Sequence, residues 1–262
     1  YYADFAAPDA LEKVTRGGFF HDGTYSSFRG REHGSPVPED VPTWRLVTFA
    51  QDHDQIGNRA AGDRLSATLS EARLSVAAVL TLTAPGTPML FMGEEWGAST
   101  PWQFFTSHPE PELARATAEG RISEFARMGW DPAQVPDPQD PATFERSRLD
   151  WDELTRPRHA RLLALYRELA ALRRERPELT DPDAGHGAAT LVVPGDAPER
   201  RAYRIDRDSL CVLVNLTAEP VEFVVDGSAQ MLLCTREPSR SADRVTVEPD
   251  SAVIMGPPLR VG

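Results

Sequence analysis

No apolar run in the sequence approaches the roughly 20 residues a membrane-spanning helix needs, so no membrane partner is expected. Cysteine is scarce. Cys211 and Cys234 are the only two, each inside a β-like apolar run, and neither has further ligands at zinc spacing. No metal site is therefore expected, and buried free thiols are the simpler reading. Basic residues are in deficit: 28 Lys and Arg against 40 Asp and Glu give a net charge of -12. An acidic surface repels phosphate backbones, so nucleic acid is not an expected partner, whereas a neutral polyol carries no charge to be repelled. The start, Tyr1-Tyr2-Ala3-Asp4-Phe5, has no initiator Met and no basic segment followed by an apolar one. A processed start or a piece of a longer protein is expected, and the lack of a secretion leader points to the cytoplasm.

What the chain does have is enough apolar material, 40% of 262 residues, for one large domain or two modest ones. Its 23 prolines, many beside Asp, Glu or Gly, predict abundant ordered loops and turns. A short amphipathic helix is expected over residues 10–15, ended by Gly17-Gly18. Residues 19–31 are aromatic, polar and glycine-punctuated, without helical or strand period, and read as a loop suited to binding. Residues 45–50 look like a buried strand, followed at once by a polar cluster. One buried helix is expected over 65–82, carrying Leu69, Leu74, Val76, Ala77 and Leu80. A second short strand over 89–92 runs into Gly93-Glu94-Glu95-Trp96-Gly97. Strand, polar loop, helix, strand, polar loop is the grammar of a βα unit on a parallel sheet. A long excursion follows over residues 98–155, with one helix around 111–128, and a loop of that length is usually functional. Residues 158–176 form a strong helix with Leu162, Leu165, Leu169 and Leu172 on one face. From residue 180 seven short β-type runs separated by turns predict a small antiparallel sandwich.

Catalytic groups of parallel α/β barrels sit just past the C-terminal ends of strands. Two such positions are visible here. One holds Gln51, Asp52, His53, Asp54, Gln55, Asn58 and Arg59; the other holds Glu94, Glu95 and Trp96. Carboxylates flanked by His, Gln, Asn and Arg suit a ligand rich in hydroxyls, and a carboxylate near an anomeric centre stabilises an oxocarbenium-like transition state. Spacing alone leaves alternatives open. The His53-Asp54 pair reads equally as a structural turn or half of a metal site. Glu94 and Glu95 read as a solvated turn, Arg59 with Asp63-Arg64 as a surface ion-pair group, and Trp102, Phe104 and Phe105 as core.

The stretch Phe49-Ala50-Gln51-Asp52-His53-Asp54-Gln55-Ile56-Gly57-Asn58-Arg59-Ala60 resembles the fourth conserved region of the α-amylase superfamily. Its continuation through Gly62-Asp63-Arg64-Leu65 is similar to one branch, the maltooligosyltrehalose trehalohydrolases. Further matches run in family order: Tyr1-Tyr2-Ala3-Asp4-Phe5, Phe20-His21-Asp22-Gly23-Thr24-Tyr25-Ser26, Phe28-Arg29-Gly30-Arg31 and Met92-Gly93-Glu94-Glu95-Trp96. Pro101-Trp102-Gln103-Phe104-Phe105, Gly120-Arg121-Ile122-Ser123-Glu124-Phe125 and Ser147-Arg148-Leu149-Asp150-Trp151 complete the set.

The resemblance implies an α/β plus all-β chain. Residues 1–180 would be the last two βα units, strands seven and eight, of a (β/α)₈ TIM barrel, and residues 181–262 a C-terminal antiparallel β-sandwich. It implies hydrolysis of the α-1,4 bond next to the trehalose end of maltooligosyltrehalose, an α-glucan substrate, with release of trehalose and no cofactor. Asp54 would be the transition-state stabiliser. His53, Gln55, Arg59, Tyr25, Glu95, Trp96 and Phe105 would bind substrate. Asp52 stands where the motif commonly has Asn, and its carboxylate is expected to point away from Asp54. The nucleophile and acid/base of the superfamily follow strands four and five, before residue 1, so the 262-residue chain is expected to have no hydrolase activity by itself. The rival readings are another α-amylase superfamily enzyme, a glycogen branching or debranching enzyme, or a non-catalytic carbohydrate-binding remnant.

Overall fold

A computed structural model of the chain describes residues 3–127, 129–180, 188–193 and 198–258. Tyr1 and Tyr2, named above, lie outside the described residues, as do residue 128, the last of the helix expected around 111–128, and the expected domain boundary after residue 180. The prolines do more than punctuate loops. Pro111, Pro141, Pro157 and Pro177 each open a helix, where the missing N–H is no loss and the fixed φ is already helical.

In chain order the elements are α1 (Ala10–Gly17), β1 (Asp22–Ser26), β2 (Arg31–Gly34), β3 (Val47–Thr48), α2 (His53–Gly57), α3 (Leu65–Thr68), α4 (Glu71–Thr83) and β4 (Thr87–Pro88). They continue with α5 (Pro111–Arg127), α6 (Pro141–Ser147), α7 (Pro157–Glu175), α8 (Pro177–Thr180), β5 (Ala188–Val193), β6 (Ala202–Arg207), β7 (Leu210–Asn215) and β8 (Val221–Val224). The last are β9 (Gln230–Cys234), β10 (Ser239–Ser241), β11 (Arg244–Val247) and β12 (Ser251–Gly256). The chain divides into two compact units. The first comprises Tyr1–Thr48, Ser75–Met89 and Leu165–Gly262; the second comprises Phe49–Leu74 and Leu90–Ala164.

In the first unit, α1 ends as its glycines require, with Gly18 at φ 81° donating its N–H to the Val14 carbonyl. The stretch over 19–31, expected as loop, instead builds the antiparallel hairpin β1–β2, with Tyr25 opposite Glu32. Its signal was hidden because both strands are largely exposed and polar, so they lack the apolar alternation that marks a half-buried strand. The Lys13 ammonium ties α1 to β1 through Asp22 at 2.8 Å.

The two expected parallel strands pair as β3 and β4, but both are shorter than the apolar runs. The second one lies at Thr87–Pro88 rather than over 89–92, and the Met89 N–H extends the ladder to the Thr48 carbonyl. Gly86 permits this approach, since a Cβ there would lie 2.6 Å from the Leu46 carbonyl oxygen. The strand over 45–50 was expected to be buried; Val47 and Phe49 are instead exposed, and so are Met89, Leu90 and Met92. The physical reason is that the β3–β4 ladder has no third strand among the described residues.

The expected helix over 65–82 is broken in two. Leu69 adopts an extended backbone, and the Ser70 hydroxyl caps α4 by accepting the Arg73 N–H at 3.2 Å. At the other end of α4, Arg173 of α7 donates to the carbonyls of Leu82, Ala84 and Gly86 at 2.7–2.9 Å, satisfying groups that a helix C-terminus leaves bare.

All seven expected β runs form strands, in two antiparallel sheets of order β5-β6-β7-β12-β9 and β10-β11-β8. Strands β7 and β12 are buried along their whole length, which is why they read as continuous apolar runs rather than alternating ones. Leu213, Val253 and Met255 from the larger sheet share one core with Phe223, Val245 and Val247 from the smaller. Cys211 lies in that core as a free thiol, its pKa pushed up by burial; Cys234 is also free and half-buried.

The second unit holds α2, α3, α5 and α6. Ala60, Phe125 and Val135 form one of its apolar clusters, with Ile122 and Trp130 packed against them. No helix among the described residues is long and apolar enough to cross a membrane.

Candidate active site

His53 and Asp54 open α2, the short helix that follows β3. Asp52 has extended backbone angles, and its Oδ1 accepts the Gln55 N–H at 2.7 Å, so the Asp52 carboxylate is occupied in capping the helix. His53 Nε2 stands 3.6 Å from Asp54 Oδ1, and the two side chains are 66% and 76% exposed. The pair is held open to solvent on a helix whose last two residues, Ile56 and Gly57, are buried. Gln55 is half-buried.

Three contacts within the unit fix this helix and the turn after it. The buried Gln51 amide accepts the Leu65 N–H at 3.1 Å. Arg121 of α5 donates to the Gly57 carbonyl and to Asn58 Oδ1 while its guanidinium lies 4.7 Å over Phe104 and 4.4 Å over Phe125. Trp102 packs where glycine makes room. A Cβ on Gly57 would lie 2.9 Å from its ring, and one on Gly62, at φ +66°, 2.4 Å from its carbonyl oxygen. The Trp102 N–H donates to the Gly62 carbonyl at 2.8 Å.

Arg59 pairs with Asp63 on the surface, Nε to Oδ2 at 2.7 Å. Arg64 departs from the surface ion-pair reading: it is 3% exposed. Its Nε donates to the Thr100 carbonyl at 2.7 Å and its Nη1 to the Met92 carbonyl at 2.8 Å, and its guanidinium lies 5.2 Å over the Phe91 ring. Burial holds its pKa below the ordinary value, against the pull of Glu153, Glu94 and Glu95. Nothing in the local sequence marks Arg64 as buried, because the atoms that receive it are backbone carbonyls some 30 residues away.

Glu94, Glu95 and Trp96 form a 3₁₀ turn between Gly93 and Gly97, both left-handed. Glu94 is buried and accepts the Phe91 N–H at 3.2 Å; Glu95 is half-buried. Trp96 is core, 2% exposed, and its indole N–H reaches Glu153 at 3.3 Å. Its ring therefore cannot offer a free face to a sugar. Glu153, which sequence reasoning missed, is 1% exposed. It also accepts from the Ser99 hydroxyl and N–H, while His159 Nδ1 holds the Trp96 carbonyl at 2.7 Å. Phe105 is half-buried, edge-on to Phe144 at 5.1 Å and to Trp102 at 6.3 Å. These rings, with Met92, Arg148 and Trp151, line a cleft of about 320 Å³.

Tyr25 belongs to the first unit, on β1, with its ring exposed. Phe28 and Arg29, after the same strand, line a separate cleft of about 240 Å³ with Phe5, Phe20, His21 and His33. Burial lowers the His33 pKa, and Arg29 lowers it further. Among the described residues, no group of three or more His, Cys, Asp or Glu side chains is placed to hold a metal ion.

No family model matches the chain. It is 59% identical over 238 residues to the malto-oligosyltrehalose trehalohydrolase of Brevibacterium helvolum, a match covering 90% of this chain and 39% of that protein. It is 57% identical over 258 residues to the protein of the same name from Rhizobium sp. (strain M-11), covering 97% of this chain and 42% of that one. A crystal structure described as an alpha amylase from Salmonella typhimurium superposes with a TM-score of 0.80 at 33% identity, covering 98% of this chain and 43% of that chain. The chain thus spans about two fifths of the length of these relatives. On these identities and this coverage, the chain belongs to the malto-oligosyltrehalose trehalohydrolase family.

Proposed function

We propose that Asp54 is the transition-state-stabilising carboxylate of a glycoside hydrolase that cleaves the α-1,4 bond next to the trehalose end of maltooligosyltrehalose and releases trehalose. The observation that carries this reading is the solvent-open His53-Asp54 pair, held at the head of a capped helix after a parallel strand, in a chain of this family. A fixed negative charge beside the anomeric carbon opposes the positive charge that develops as the glycosidic bond breaks, and it is already in place when the reaction begins. His53 hydrogen-bonds the same sugar ring, with Gln55, Arg59, Glu95 and Phe105 as further substrate contacts. Trp96 serves from beneath, fixing the turn that carries Glu95. Tyr25, on the β1–β2 hairpin, is a substrate residue by the family resemblance alone. The mechanism needs no cofactor. Its nucleophile and acid/base come, by the family resemblance, from barrel segments of the whole enzyme.

In this reading β3 and β4 are strands seven and eight of a (β/α)₈ barrel, residues 1–180 are barrel and residues 181–262 a β-sandwich. The parallel β3–β4 pairing and the shared core of the two antiparallel sheets support it. The setting is cytoplasmic trehalose biosynthesis. The test is Asp54→Asn in the whole enzyme, assayed by trehalose release from maltooligosyltrehalose and by hydrolysis of plain maltooligosaccharide. Turnover should fall by orders of magnitude with the fold intact. Near-normal turnover removes Asp54 from the catalytic set, and equal rates on the two wild-type substrates favour another amylase activity.

A further inference from the structure

We propose that the cleft walled by Trp102, Phe105, Phe144 and Trp151 in the second unit binds an uncharged α-glucan chain by stacking, with Trp151 as its principal platform. This rests on the reading that the ligand is an α-glucan, and it gives a role to the Ser147-Arg148-Leu149-Asp150-Trp151 motif, which the Asp54 chemistry leaves unused.

Trp151 is 63% exposed, an unusual state for so large an apolar ring. It is nevertheless not loose. It lies 5.1 Å from Trp96 at an interplanar angle of 40°, and Trp96 is itself anchored by its bond to Glu153. Asp150 caps the 3₁₀ turn that begins at Trp151 by accepting the Asp152 N–H at 3.1 Å. The indole is therefore backed on one side by core and open on the other. Phe144, from α6, is 45% exposed and braced edge-on by Phe105, which is braced in turn by Trp102.

The polar groups of the cleft decide what it can hold. Ser147 is saturated: its hydroxyl donates to the Thr143 carbonyl at 2.8 Å and accepts the Gln103 N–H at 3.0 Å. Arg148 brings the one formal charge of the lining, and Glu145 neutralises it at 2.9 Å. The cleft thus offers rings, no net charge and little hydrogen-bonding capacity. An anion would lose its hydration without gaining a cation. A pyranose matches, because its C–H faces cover the rings while its hydroxyls stay in water. The cleft's volume of about 320 Å³ is in the range of small-ligand sites.

The experiment is isothermal titration calorimetry of the 262-residue chain with maltoheptaose, and with cellohexaose as linkage control. Trp151→Ala and Phe144→Ala are titrated in parallel, after thermal melts establish that each variant folds. Saturable maltoheptaose binding is expected, with Kd raised about tenfold or more in each variant, the scale of one lost stacking contact. Undiminished binding in both folded variants overturns the cleft while leaving an α-glucan ligand standing. Absence of wild-type binding also overturns it, and the Asp54→Asn assay then decides the hydrolase reading separately. Concentration-dependent self-association that Trp151→Ala abolishes, without glucan binding, would show a second copy as the occupant and would equally overturn the proposal. Should Trp151→Ala not fold, Phe144→Ala carries the same test.

Discussion

Arg64 offers the sharpest test of how the segment over residues 92–100 is held. In Arg64→Met the side chain keeps its length but loses every donor, so the carbonyls of Met92 and Thr100 lose their partners. Leaving a buried acceptor bare costs about 1–3 kcal/mol, so the two together cost roughly 2–6 kcal/mol. An opposite effect must be subtracted. Nη2 of Arg64 is buried without a partner among the described residues. Its removal returns about 1–3 kcal/mol. The midpoints of these ranges leave an expected net loss of about 2 kcal/mol, read as a lowered urea midpoint in tryptophan fluorescence. Trp102 is a suitable reporter, since its ring lies 5.3 Å from Phe91, on which the guanidinium rests. Arg64→Lys should fall between the two, because a single ammonium can serve one carbonyl but not both in the same geometry. A loss below about 0.5 kcal/mol in Arg64→Met would refute the reasoning, placing the residue among surface substitutions.

Two further outcomes follow from bonds described above. Asp52→Ala should lose about 1 kcal/mol by removing the cap of α2, and in the whole enzyme it should lower turnover by loosening the helix under Asp54; Asp52→Asn should do neither. Equal losses in Asp52→Ala and Asp52→Asn, by thermal melt and kcat, would show that charge and not capping matters. The Lys13 ammonium holds the Asp22 carboxyl below its ordinary pKa of 3.8, so that link contributes stability above pH 3.8 and loses it as the pH falls through the folded value. The Tm gap between the wild type and Lys13→Met should therefore narrow on going from pH 7 to pH 2.5, and a gap that stays constant counts against the link.

The sequence reading succeeded where the signal was local. The helix ended by Gly17-Gly18 and the seven apolar β runs each announce themselves within a few residues. It failed where the cause lies elsewhere in the chain. The β1–β2 hairpin and β10, whose Ser239, Arg240 and Ser241 are all exposed, have no buried face to generate a period. Leu69 continues a helical pattern of apolar residues, yet the chain breaks there because Ser70 is a better cap than helix-interior residue. Arg64 and Trp96 looked like surface or ligand-facing groups, and Glu153 drew no attention at all. Their burial depends on backbone carbonyls and a carboxylate brought in from distant segments, which no window of neighbouring residues contains. The cleft at Trp151 was not legible, because it is assembled from rings spread over residues 102–151.

Asp52 has a consequence for how this motif varies among genes. Asp and Asn codons differ by a single nucleotide, and both residues present the same oxygen, at the same distance from the main chain, to the N–H of Gln55. The exchange is therefore a one-step change that the helix scarcely registers, and it can drift in either direction without a compensating substitution. Glu, also one nucleotide from Asp, carries its oxygens one methylene farther out and is not expected to share that freedom. A pattern search that insists on Asn at this position would pass over chains in which the His53-Asp54 pair stands as firmly as it does here.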